Sequence, residues 1–416
     1  MKLPKRSYRY LKVGFPLWIS WISSVSAQIV PDTTLPNNSI VNLQGQIQRI
    51  TGGTEAGGNL FHSFDRFNIL TGETAYFDNT LTINNIITRI TGGQLSNIDG
   101  LIRANGTANF FLLNPSGIVF GENASLDIGG SFFGSTAESL VFEDGSFYSA
   151  TEPNTPPLLT INVPVGLQMG TNPGSIVNRS TSTSAFNSPT PVIPFSLPPD
   201  LNFTQVGLEV QPGQTIALIG GDIQLTGGNL TASNGHIFLG SVASEGLVDF
   251  TFTPLGVNFN NNGIDNFGNI SLSDGSFINT SGIGGGNVDI RGRNVTLNNS
   301  RIFALTLGNI DGRGIDINAR QLLVGGGAQI SNATLGDGRG GDVNISAESV
   351  DLGGLGLASY RQFVSNYLIS GTFNPFDPVV VLISGTSGPG DAGNIAIETE
   401  SLLLRDGFLG GSATLG

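Results

Sequence analysis

NVDI at Asn287–Ile290, GIDI at Gly314–Ile317, DVNI at Asp342–Ile345 and NIAI at Asn394–Ile397 are one phrase written four times. The first three are spaced by 27 and 28 residues, and the last follows after 52, about two periods. Between them sit the partner phrases NVTLNNSRIFA from Asn294, QLLVGGGAQISNA from Gln321 and ESLLLRDGFLG from Glu400. Each unit therefore carries at least two short strands joined by Gly- or Asn-rich turns. One such unit cannot bury its own apolar face, whereas stacked neighbours make a continuous core, which is the logic of a solenoid. Propeller blades need units of about 40 residues with four antiparallel strands, and leucine-rich repeats need a Leu/Asn frame that is missing here. The reading is an all-β chain forming a single-stranded parallel β-helix with loop insertions.

The same style of writing extends upstream. SIVNLQGQIQRITGG (Ser39–Gly53), TLTINNIITRITGG (Thr80–Gly93) and NFFLLNPSGIVFG (Asn109–Gly121) are runs of β-branched and aromatic residues bounded by turn formers. Many alternate with the period of two that sends successive side chains to opposite faces of a strand. Helical spacing is nearly absent; the best helix candidate is Leu357–Leu368, LASYRQFVSNYL. Composition agrees: 60 Gly and 39 Asn in 416 residues supply corners, without the strict period of collagen. About 389 residues in coils of about 27 would make roughly 14 coils and a rod on the order of 70 Å long.

Charge and missing residue types exclude several functions. No Cys and two His, His62 and His236, remove disulfides, thiolate catalysis and most zinc chemistry. Lys2, Lys5, Arg6, Arg9 and Lys12 precede the apolar run Val13–Ile22, and small residues at Val25-Ser26-Ala27 follow it. This order reads as a secretory signal, residues 1–27, cleaved after Ala27. What remains has 13 Arg and no Lys against 31 acids, a net charge near −18 (13 minus 31), which argues against a nucleic-acid partner.

The expected organisation is a first β-helical domain at 28–150, a Pro/Ser/Thr-rich excursion at 151–202, and a continuing β-helix at 203–416 with an insertion at 353–381. Gly416 falls part-way through a repeat, which fits a chain without its terminal cap.

GGNLFHSFDRFNI (Gly57–Ile69), IITRITGGQLSNIDGLIRANGTANFFLLNPSGIVFG (Ile86–Gly121) and ASLDIGGSFFGSTAESLVF (Ala124–Phe142) resemble the N-terminal secretion, or haemagglutination activity, domain of filamentous haemagglutinin-like exoproteins of two-partner secretion, cyanobacterial type. The family hallmark is an NPNGI-type turn. Here it is Asn114, Pro115, Ser116, Gly117 and Ile118, with Ser116 where the second Asn usually stands. The resemblance is strong from about Val30 to Phe142 and weaker beyond. It implies a right-handed parallel β-helix that passes the general secretion machinery and the periplasm, and an Omp85-type outer-membrane transporter that recognises the N-terminal domain. It also implies an adhesin-like product, secreted or held at the outer cell surface, with a host-cell, matrix or carbohydrate ligand left open. The turn residues either shape the corner or are read by the transporter.

Competing functions on the same fold are a polysaccharide-cleaving enzyme and a structural matrix protein. Asp289, Asp316 and Asp342 near the repeat phrases, with Asp311 and Asp337 in adjoining turns, are the acidic candidates, but they do not keep one register. GNIDGRG and GDGRGGD lack the tandem spacing of calcium-binding nonapeptides. His62 and His236 read as structural, and Phe61, Phe64 and Phe67 as a core or capping patch. No nucleophile elbow or phosphate loop is present. The expectation is a non-enzyme without cofactor, metal or catalytic residues.

Overall fold

The computed structural model describes residues 28–154, 159–184, 186, 203–253, 256–260, 263–371, 374 and 376–414. The expected signal segment, 1–27, lies outside the described residues. The chain coils through three faces in succession. The first face stacks, in parallel and in register, Asn59–Phe67, Asn85–Ile90, Asn109–Leu113, Phe132–Ser135, Thr215–Gly220 and His236–Ser241, then the leading halves of Asn287–Asn298, Gly314–Gly325, Asp342–Gly353 and Ile395–Arg405. The trailing halves of those four long strands continue a second face begun by Ser96–Ile98, Ile118–Phe120, Ile176–Asn178, Ile223–Thr226 and Asn269–Ser273. Shorter parallel strands, such as Asn229–Thr231, Phe277–Asn279, Arg301–Phe303 and Gln329–Ser331, make the third. The repeat phrases are thus register partners: Val288 lies beside Ile315 and Ile315 beside Val343. This is a parallel β-helix.

Among the described residues the first face counts about ten rungs and spans roughly 45 Å at the inter-strand spacing. The expected 14 coils were too many because the chain spends residues outside the coil. Phe147–Ser149, Ser139–Phe142, Pro164–Met169, Gly246–Thr253 and Gly256–Asn260 form a separate antiparallel sheet, in that spatial order. It lies against the outside of the first face and creates a second core. In Asn109–Leu113, Phe110 and Leu112 point into the coil, while Phe111 and Leu113 point out beneath the added sheet. Phe111 stacks on Phe133 at 4.3 Å, and Phe238 on Phe259 at 3.9 Å. Strands buried on both sides explain why this run is continuously apolar rather than alternating.

The excursion 151–202 is therefore narrower than its composition suggested. Pro164–Met169 belongs to the outer sheet and Ile176–Asn178 is a rung of the second face. The run of Pro, Ser and Thr at 187–202 lies outside the described residues. In the insertion, a helix spans Leu357–Ser370, ended by Gly371 at φ 67°.

Antiparallel pairing closes the N-terminal end. Ser39–Gln44 folds back on Ile47–Gly52 around Gly45, and Ile29–Pro31 pairs with Asn59–Phe67. A solenoid end left bare would present an unpaired edge, so this layer acts as a cap. The aromatic patch divides between the two cores: Phe64 and Phe67 fill the coil, and Phe61 faces the outer sheet.

Gly and Asn serve the corners in distinct ways. Gly336 sits so close on Gly308 that a Cβ would lie 2.2 Å from the Gly308 carbonyl oxygen; only glycine lets those loops stack. Asn side chains run along the coils as a ladder, with Asn85 donating to Asn59 at 2.8 Å and Asn109 donating to Asn85 at 3.0 Å.

Candidate export-recognition site

Asn114, Pro115, Ser116, Gly117 and Ile118 make the corner between a first-face strand and a second-face strand. The Gly117 amide donates to the Asn114 carbonyl at 3.0 Å, closing a four-residue turn. Pro115 presets the first central position, and Ser116 keeps a negative φ, so the turn is type I, with Asn at its start and Gly at its end. Ser in place of Asn costs little there because that position needs no left-handed backbone. Gly117 does need freedom, at φ 124°, and its missing side chain leaves room for the Ser175 carbonyl of the next coil.

Asn114 is fully buried. Its Nδ2 donates to the Gln94 carbonyl at 2.9 Å and to Ser96 Oγ at 3.0 Å, while its Oδ1 accepts from the Ser116 amide at 3.0 Å. The Asn114 amide donates to the Ser135 carbonyl at 2.9 Å. One side chain thus ties together the preceding coil and its own turn. Of the five residues, Ser116 alone is exposed. The next coil stacks on this corner through Asn172, Pro173 and Gly174, with the Gly174 amide donating to the Pro115 carbonyl at 3.0 Å and Ile176 pairing with Ile118, but Asn172 is exposed where Asn114 is buried.

Sequence reasoning missed a second polar centre at the capped end. Arg89 is fully buried in the strand Asn85–Ile90. Its Nε donates to Ser63 Oγ at 2.9 Å, one Nη to the Ser149 carbonyl at 2.5 Å, and the other to Thr34 Oγ1 at 2.8 Å and the Pro153 carbonyl at 3.3 Å. The guanidinium lies 4.2 Å from the Tyr148 ring centroid, and the Tyr148 hydroxyl donates to the His62 carbonyl at 2.9 Å. Ser63 and Thr34 relay to Asp32, donating to its carboxylate at 2.6 and 2.7 Å. Burial pushes Asp32 up, but hydrogen bonds from Ser63, Thr34 and Thr91 outweigh it and hold the carboxyl below its usual range. The network joins the N-terminal strand, the first two coils and the outer sheet. Its trace in the sequence was a lone Arg inside the apolar run IITRI.

The histidines are structural groups. Burial pulls His62 down to about 3, so its ring is neutral; Nδ1 meets Ser39 Oγ at 2.9 Å. Burial likewise takes His236 to about 4, with Nδ1 against the Val257 carbonyl of the outer sheet at 2.9 Å.

The acidic candidates are only partly brought together. Asp289 and Asp316 are register neighbours, but Asn344 follows in that column and Asp342 stands beside Gly314. Asp289 is held by Arg291 at 2.7 and 3.0 Å, and Asp316 accepts from Asn344 at 2.9 Å. Asp342 accepts from Arg339 and from the Asn394 amide, and Asp311 from the Arg339 amide at 2.9 Å. Among the described residues no group of three His, Cys, Asp or Glu is placed to hold a metal ion.

Comparison with known proteins meets this geometry at the same segment. No curated protein matches the chain. The structure is similar to the crystal structure of the HMW1 secretion domain from Haemophilus influenzae, with a TM-score of 0.45 and 14% identity over 91% of this chain and 100% of that one. It is also similar to the filamentous hemagglutinin secretion domain, with a TM-score of 0.35 and 13% identity over 93% and 100%. The TPS secretion domain family matches residues 27–291, which include the cap, the Arg89 centre, the Asn114 corner and the outer sheet. The chain belongs to the TPS secretion domain family and is an exoprotein exported by two-partner secretion.

Proposed function

We propose that the coils up to about residue 291 are the export-recognition module for an Omp85-type outer-membrane barrel. The chain reaches that barrel through the general secretion machinery and the periplasm, and the remaining coils serve as an adhesin-like rod, secreted or held at the outer surface. The observation that carries this reading is where the family match ends. The cap, the buried polar centre, the Asn114 corner and the outer sheet all fall within residues 27–291, whereas regular 27- and 28-residue coils take over from Asn287.

On this reading Asn114 acts by closing the corner, since its side chain is buried and its polar atoms are already engaged, and not by touching the transporter. The test compares Asn114→Ala with Ser116→Ala in cells that make the partner barrel, measuring chain in medium, surface and periplasm. Export is expected to fall for Asn114→Ala, in step with lost stability of the purified variant, and to persist for Ser116→Ala. Undiminished export of Asn114→Ala would remove the corner from the mechanism. Lost export with native stability would instead make Asn114 a residue the transporter reads.

A further inference from the structure

Asp377–Pro378 is the one Asp–Pro step in the 416 residues. It lies where the insertion returns to the coil, just before the third-face strand Val380–Thr386. The turn is anchored on both sides. Phe376 is buried against Phe303, with ring centroids 5.5 Å apart, and Val379 is buried in a cluster with Phe363 and Ile383. Asp377 and Pro378 themselves are only half-buried, so water reaches the peptide between them.

Two donors meet at the Asp377 carbonyl oxygen. Gln329 Nε2 donates to it at 2.7 Å and the Val380 amide at 2.8 Å. Gln329 is itself buried, and its Oε1 accepts from Nε of the buried Arg301 at 3.2 Å, so a full positive charge polarises the amide that holds this carbonyl. The carboxylate of the same residue is folded back along the peptide that follows it, Oδ1 accepting from the Val379 amide at 3.0 Å. The Val379 and Val380 amides suffice to close such a turn. Gln329 and Arg301 come from two earlier coils and add a charge-backed donor at the carbonyl that precedes proline.

We infer that the chain cuts itself between Asp377 and Pro378. A carboxylate oxygen of Asp377 attacks the carbonyl carbon of its own residue, closing a five-membered ring, a step favoured because nucleophile and target sit in one residue. Negative charge gathers on the carbonyl oxygen, where Gln329 Nε2 and the Val380 amide already point. The carbonyl carbon to nitrogen bond then breaks as a cyclic aspartyl anhydride forms. Its electron pair goes to the Pro378 nitrogen, which takes a proton from solvent and leaves as a secondary amine. Water opens the anhydride, so one water is consumed, Asp377 ends with a free α-carboxylate and Pro378 becomes a new N-terminus. The cut severs the covalent link between the coil of Asp342–Gly353 and the strands beyond it, leaving them held by strand pairing.

Val380–Thr386 pairs with Gln329–Ser331 and Ile395–Arg405 with Asp342–Gly353, so the pieces stay docked after the cut and the readout is mass spectrometry in denaturant. The purified mature chain is incubated at pH 5.5, its fold checked by circular dichroism, beside a synthetic peptide of residues 372–381 that carries the same Asp–Pro step without the fold. The folded chain is expected to yield a fragment beginning at Pro378 at least about tenfold faster than the peptide is cut, because only the fold supplies the Gln329 donor. Asp377→Ala, a change in a half-buried turn, should abolish the cut. Gln329→Met, which keeps the shape but removes the donor, should bring the rate down to that of the peptide with the circular dichroism spectrum unchanged. A folded chain cut no faster than the peptide overturns the inference and leaves only the acid lability of any Asp–Pro bond. Cleavage at the same bond in Asp377→Ala, or an undiminished rate in natively folded Gln329→Met, overturns it as well.

Discussion

Replacing Arg89 by Met tests whether the buried guanidinium holds the capped end together. Met keeps most of the apolar stem but removes four donated hydrogen bonds, to Ser63, Ser149, Thr34 and Pro153, and the cation over Tyr148. It strands the Ser149 carbonyl in a buried site and deprives Asp32 of the positive charge one hydroxyl away, through Ser63 on one path and Thr34 on the other. Hydrogen bonds to a charged group contribute about 1.5–3 kcal/mol each in isolation, but they share one side chain and do not add. Breaking a buried charged network by removing one partner costs about 3–5 kcal/mol, and that is the expected loss. The assay is urea unfolding of the mature chain followed by circular dichroism, with hydrogen exchange read at Ile29–Pro31 and Phe147–Ser149. The midpoint should fall, and exchange should accelerate first in those two strands, because Arg89 holds Thr34, just beyond the first, and the Ser149 carbonyl of the second. An unfolding free energy within about 0.5 kcal/mol of the parent, the range of ordinary surface changes, would refute the reasoning.

Stability should also fall in acid before the carboxylates titrate. His62 and His236 are held to about 3 and about 4 when folded, so between pH 6.5 and about 4 the unfolded chain binds protons that the folded chain refuses. Unfolding free energy then drops as pH falls, by up to about 1.4 kcal/mol per pH unit for each ring; urea midpoints at pH 7 and pH 5 check this, and equal midpoints would contradict it. Gly336→Val should destabilise by roughly 1–3 kcal/mol, because its Cβ would collide with the Gly308 carbonyl. Gly325→Ala, where nothing lies within 4 Å, should stay within about 0.5 kcal/mol in the same denaturation experiment.

The coil was legible where its rungs repeat without interruption. Asn287–Asn298, Gly314–Gly325 and Asp342–Gly353 occupy equivalent positions in consecutive coils, so their spacing appears directly as sequence offsets. Upstream, Phe132–Ser135 and its neighbour Thr215–Gly220 are 84 residues apart by their paired positions, Phe132 and Ile216, because outer-sheet strands and a Pro-rich run intervene. No period survives such an insertion. The outer sheet was invisible for a related reason: Phe111, Leu113, Phe133 and Phe238 are as apolar as the coil interior, and composition does not say which side of a strand a second layer covers. The Asn114 turn could be read from its residue types, since Asn, Pro and Gly each demand particular backbone geometry. Its burial could not, because the Gln94 and Ser96 partners come from folding the preceding coil against it.

Export by a partner is the center of this account, and one localisation experiment addresses it most directly. The full chain is produced with and without the neighbouring barrel-type transporter, and the mature protein is followed in periplasm, surface and medium. The account predicts periplasmic retention without the barrel and transfer to the surface or medium with it, lost again when residues 28–291 are deleted. The same distribution with and without the barrel would contradict it.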